Sequence, residues 1–150
     1  VHYHAYSYEG PGEAIKPFDG ARRAGGVGFD TAAVPPVRTD WWLCRPARAI
    51  RATWDDPREG VSWLTAQWRE KVDGHEIHPR QQRRPHLDFM AALSLEQLSM
   101  GNDEVWASWL SGGMYAHFAV ICCPNRTVGG PPCPIGREDT RPEGATRYVG

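Results

Sequence analysis

Residues 104–123 read EVWASWLSGGMYAHFAVICC, two runs of alternating strand-forming residues on either side of Ser111-Gly112-Gly113-Met114. Period-two alternation rich in Val, Trp, Tyr, Phe and Ile marks half-buried strands, and a Gly-Gly pair between them marks a hairpin turn. With Gly112-Gly113 as a two-residue turn, Leu110 faces Tyr115, Trp109 faces Ala116 and Ser108 faces His117. That register gathers Val105, Ala107, Trp109, Ala116, Phe118 and Val120 on a core face. It leaves Glu104, Trp106, Ser108, Leu110, Tyr115, His117 and Ile121 on the other, a mixture suited to a binding surface. A turn one residue longer reassigns both faces.

Working outward, residues 2–8 alternate His2, His4, Tyr6 and Tyr8 against Tyr3, Ala5 and Ser7, another strand pattern. Residues 9–38 are rich in Gly, Pro and small residues without a sustained period, and read as a long irregular loop. Residues 39–45 read as a strand broken by Pro46, and residues 48–54 resume it. Asp56-Pro57-Arg58-Glu59 sets an acceptor at the N-cap, proline at the first helical position and an acid at the third. The helix that follows buries Val61, Leu64, Thr65, Trp68 and Val72, with Trp63 roughly opposite. Residues 73–84 are loop-like. A second helix spans about 86–100, closed by Gly101-Asn102. Its stripe is Leu87, Met90, Ala91, Leu95 and Leu98, yet Phe89 and Leu93 lie on the far side, so it is either central or meets a second molecule. Together these elements predict an α+β domain over residues 1–123: an antiparallel sheet of four to five strands with two helices packed on one face and the long loop 9–38. Residues 124–150 read as a Pro/Gly-rich extended or disordered tail with no part in the core.

The composition limits the function classes. The 150 residues carry 17 Lys+Arg against 18 Asp+Glu, a net charge of -1, which argues against histone-like nucleic-acid binding and a polybasic membrane anchor. No apolar run reaches the ~18 residues of a membrane span. The first residues lack the basic start and apolar run of a secretory signal, so a cytoplasmic protein is expected, with cysteines as thiols or metal ligands. Arg supplies all the basic residues except Lys16 and Lys71. With abundant Gly and Pro, this bias fits a GC-rich genome such as an actinobacterium's, or a phage or plasmid adapted to one. Seven Trp exceed what such coding explains. Large rigid side chains are kept for packing or contact.

Several chemistries compete for the remaining residues. Ser108 and His117 on one sheet face, with Glu104 two steps along, invite a serine-hydrolase reading, but no Gly-x-Ser-x-Gly elbow accompanies them, and an ordinary half-exposed sheet face is the simpler account. Cys123 and Cys133 flank a Gly/Pro loop, and His2 and His4 share a strand face; thiolate and imidazole suit zinc. Yet no Cys-x2-Cys pair occurs, so a zinc site would have to be assembled from distant residues, and small core cysteines are the alternative. His75-Glu76-Ile77-His78 is one residue short of the His-Glu-x-x-His motif. Arg45, Arg48 and Arg51 with Trp41, Trp42 and Trp54, and the basic loop Arg80, Arg83, Arg84, suggest single-stranded nucleic-acid binding, although the strand parity is mixed. The glycine clusters at 10–12 and 25–28 do not join a strand to a helix and read as flexible loop. The leading expectation is a non-catalytic protein, accessory or inhibitor-like, that binds a protein partner through exposed aromatics and needs no cofactor. Trp63, Trp106 and Tyr115 are the expected contacts, with Trp42 and Arg51 next, and a homodimer is an option. Nucleic-acid binding and a small Cys/His metal protein or hydrolase are the alternatives.

Overall fold

A computed structural model describes residues 1–75 and 86–140. Strand β1 (His2–Pro11) lies inside a four-stranded antiparallel sheet with β2 (Ala52–Trp54), β3 (Glu104–Trp109) and β4 (Met114–Cys123), in the order β2-β1-β4-β3. β1 and β4 pair along their full length, from His2 opposite Cys123 to Pro11 opposite Met114, whereas β2 covers only Tyr3 to Ala5. Helices α1 (Pro57–Lys71) and α2 (Leu87–Ser99) pack on one face. The α+β expectation therefore holds, with four strands.

The helical face is the main core. Odd residues of β1 and even residues of β3 and β4 point to it, so Tyr3, Trp106, Ala116, Phe118, Val120 and Cys122 meet Leu64, Trp68 and Val72 of α1 and Leu98 of α2. Full burial of one such Leu or Phe contributes roughly 1.5–3 kcal/mol. Asp56 caps α1 by accepting from the Arg58 amide at 2.9 Å, as the Asp-Pro start implies. Gly101, at φ +81°, takes the left-handed position that ends α2. Phe89 and Leu93 stay 68% and 45% exposed, so α2 is a flank rather than a centre.

The opposite sheet face is covered too, by residues expected as a long loop over 9–38 and as a strand over 39–45. After β1 the chain makes short 3-10 turns at Gly12–Ile15, Gly20–Arg22, Phe29–Thr31 and Ala47–Ala49, and Thr39–Cys44 is a 3-10 helix rather than the expected strand. This segment lies over the sheet face, away from any free ladder, so its backbone bonds to itself, as in Trp41 N–H to the Arg38 carbonyl. Trp42 stacks on Tyr6 with centroids 4.9 Å apart, and with Leu43, Ala119, Ile121 and Cys123 forms a second apolar cluster. Two buried arginines bind the layer. Arg45 donates to the carbonyls of Ala21, Ala32 and Val34, and Arg22 to those of Ile15, Pro17 and Pro35. The segment expected as a strand over 48–54 is reduced to β2.

Two further corrections concern the ends of the sheet. The hairpin turn is Ser111-Gly112-Gly113, three residues with both glycines at positive φ, and Leu110 N–H bonds the Met114 carbonyl. Trp109 therefore faces Tyr115 and Ala107 faces His117, one step from the two-residue register. Residues 124–140 are not a loose tail: Asn125 is buried and Cys133 packs against the second cluster. The rest of the expected tail, the basic loop Arg80, Arg83, Arg84, and most of the His75–His78 motif lie outside the described residues.

Candidate metal centre

Strand alternation puts His2 and His4 on the same face of β1, and pairing with β4 sets Cys123 directly opposite His2. A cis Cys123–Pro124 peptide follows β4, and the returning segment brings Cys133 over the two rings. The donor atoms of His2, His4, Cys123 and Cys133 all lie within 4.8 Å of one another. The two Nε2 atoms are 3.0 Å apart, and Cys133 Sγ is 3.4 Å from that of His2 and 3.6 Å from that of His4. Zinc bond lengths of about 2.05 Å to nitrogen and about 2.3 Å to sulfur give tetrahedral edges of about 3.3 Å (N–N) and about 3.6 Å (N–S). The three separations among His2, His4 and Cys133 lie near those edges, and Cys123 Sγ is within 4.8 Å of each of the other donors.

The atoms behind the donors fit the same role. His2 Nδ1 bonds Asp139 Oδ2 at 2.8 Å, and His4 Nδ1 bonds Thr53 Oγ1 of β2 at 2.7 Å. Metal-binding imidazoles use the far nitrogen in this way, which fixes ring and tautomer. Asp139 is itself held by Arg137 Nε at 3.0 Å, and Arg137 also bonds Asp55 beside β2. The hydrogen bonds from His2, from Arg137 Nε and from the Val1 ammonium keep the Asp139 carboxyl well below the usual carboxylate range, so it accepts and His2 Nδ1 donates. The two Nε2 atoms, 3.0 Å apart, are turned to the same point, where one cation could be held by both rings. Burial, with His2 and Arg137 nearby, pushes His4 down to about 4, so its ring is neutral at pH 7, as ligation requires. Four protein donors would fill a tetrahedral coordination sphere, the arrangement of structural rather than catalytic zinc.

The other expected residues are scattered. Ser108 is buried on the helical face opposite Ala116, while His117 points to the other face, so the pairing a hydrolase needs is split by the sheet. Glu104 instead accepts from Ser94 at 2.6 Å, and Ser94 accepts from Trp106 Nε1 at 2.9 Å. Trp106 and Trp42 are each 3% exposed, which removes them as partner contacts; their indoles serve the two cores. Trp63 is half-buried edge-on to Phe118, Tyr115 is half-buried beside Trp109, and Arg51 is exposed. Arg45 is consumed by carbonyls and lies 4.2 Å over the Phe29 ring, and Trp42 is buried, so neither is presented to a nucleic acid. Asp139 and Thr53 were not singled out from sequence; a lone Asp and Thr carry no spacing signal.

No family model, curated protein or solved structure matches this chain. Among the described residues no helix is long and apolar enough to cross a membrane.

Proposed function

We propose that this chain is a zinc-binding protein in which His2, His4, Cys123 and Cys133 form a closed structural centre, and that its biological role is binding rather than catalysis at the metal. The observation that carries the reading is the convergence of four soft and borderline donors within 4.8 Å. Mixed imidazole and thiolate donors in tetrahedral array suit zinc over magnesium or calcium, which take oxygen. The outer bonds from Asp139 and Thr53 support it. The centre joins the start of β1, the end of β4 and the segment carrying Cys133, so the metal fastens residues 124–140 onto the sheet.

The test is metal analysis of protein purified without chelator. One equivalent of zinc is expected in the wild type, and much less in a Cys123→Ser/Cys133→Ser variant. Cobalt substitution should give the intense visible bands of tetrahedral thiolate coordination. A folded, metal-free wild type that takes up no cobalt sinks the proposal.

A further inference from the structure

β1 is covered unevenly on its outer edge. β2 pairs with Tyr3 to Ala5, the Arg51 amide adds one bond to the Ala5 carbonyl at 2.8 Å, and there the ladder stops, although β1 stays paired to β4 as far as Pro11. In an antiparallel ladder, residues two apart turn their amide and carbonyl the same way. Ser7 and Glu9 therefore present backbone groups outward, and among the described residues no backbone ladder continues there.

This open edge is the floor of a cleft between two cavities that share Ser7 and Arg51. One, of about 340 Å³, lies on the side of the 3-10 layer, walled by Asp30, Arg48 and Arg51. The other, of about 450 Å³, lies on the side of α1, walled by Trp63, Gln67 and Lys71. Their charges differ. Arg51 has no carboxylate partner among the described residues and Arg48 donates to the backbone carbonyl of Asp30, so two exposed guanidinium groups stand against the one carboxylate of this wall, Asp30, and the wall is net cationic. On the second wall Lys71 stands 3.4 Å from Glu70 and 3.8 Å from Glu9, which neutralises it, beside the half-exposed indole of Trp63.

We infer that this edge binds an extended peptide segment of a partner protein by adding it to the sheet as a strand beside β1. The segment carries an acidic side chain next to an apolar one. Main-chain bonds to Ser7 and Glu9 give attachment, and neighbouring side chains of a strand point to opposite faces, so the acid meets Arg48 and Arg51 while the apolar residue meets Trp63. A second copy of this chain is the poorer occupant: two-fold pairing of β1 with β1 joins the sheets with both arginine clusters on one side, where like charges repel. The inference does not depend on the metal.

The experiment is selection of displayed random decapeptides against the full-length chain, followed by titration of the selected peptide into labelled protein. Enrichment of alternating acidic and apolar residues is expected, with the Ser7 and Glu9 amides becoming protected from exchange. Ser7→Pro removes an outward amide and should abolish binding. Should that variant fail to fold, Arg51→Glu, at an exposed position, still decides: acidic peptides should weaken at least tenfold and selection should turn to basic ones. No enrichment, enrichment indifferent to Arg51→Glu, or a dimer in solution that buries this edge overturns the proposal.

Discussion

His117 shows how a single side chain answers to its surroundings. Its Nε2 lies 3.4 Å from the Trp42 indole nitrogen and its Nδ1 has no hydrogen-bond partner, so burial, helped by Arg22, pushes it from 6.5 down to about 4. Between those values the unfolded chain binds the proton and the folded one does not, so this residue's contribution falls as pH drops through the window. The shift is worth at most about 3 kcal/mol, less for solvent reaching the ring edge. Asp103 opposes it. Burial raises that carboxyl to about 6 against the bonds from Asn125 and the Cys122 amide, so its contribution is present at low pH and lost as pH rises toward 6. Urea titrations of wild type and His117→Gln separate the two: from pH 7 to pH 4 the wild type should lose more stability than the variant. Equal loss in both would show that His117 does not titrate in this way. Ser94 offers a second residue-scale prediction. It accepts from the buried Trp106 indole, so Ser94→Ala should cost about 1–3 kcal/mol in chemical denaturation by leaving that N–H unpaired.

Among the elements, the ones with a period of their own were legible. β1, β4 and both helices repeat apolar residues at two or about 3.6, and the Asp56-Pro57 start and Gly101 stop mark helix ends by local chemistry. The 3-10 layer was opaque because its short turns carry no sustained period and are tied together at a distance: several of its carbonyls accept from Arg22 and Arg45, and an arginine there looks the same in sequence as one in solvent. Arg45→Met should cost about 2–5 kcal/mol and loosen the layer, seen as faster hydrogen exchange at Trp42 and Leu43 with α1 protection retained. The hairpin register slipped by one because Gly112 and Gly113 fit either turn length. The donor residues His2, His4, Cys123 and Cys133 were recognisable one by one. Their convergence was not, since it requires knowing that β1 lies beside β4. At this scale Asp139→Asn should weaken zinc 10–100-fold in competition with a chromophoric chelator while leaving the helices intact.

For the molecule as a whole, the proposed metal centre and the main core are separate. Leu64, Trp68, Leu98 and Phe118 pack on the helical face, while the donors occupy one corner of the other. Removing zinc should therefore lower the melting temperature without abolishing helical circular dichroism at room temperature, unlike a small zinc finger. At free zinc a thousandfold above its dissociation constant, the stabilisation lost is about 4 kcal/mol. Limited proteolysis should then cut within residues 124–140 first, and no change in cleavage on chelation would refute the fastening role. The spacing of the donors also has a biosynthetic consequence. His4 and Cys133 stand 129 residues apart, and at ribosomal speeds of about 5–20 residues per second the first pair of ligands waits roughly 6–26 s for the last. The four strands and both helices all precede Cys133 in the chain, so the proposed centre receives its last donor after every residue of those elements has been polymerised.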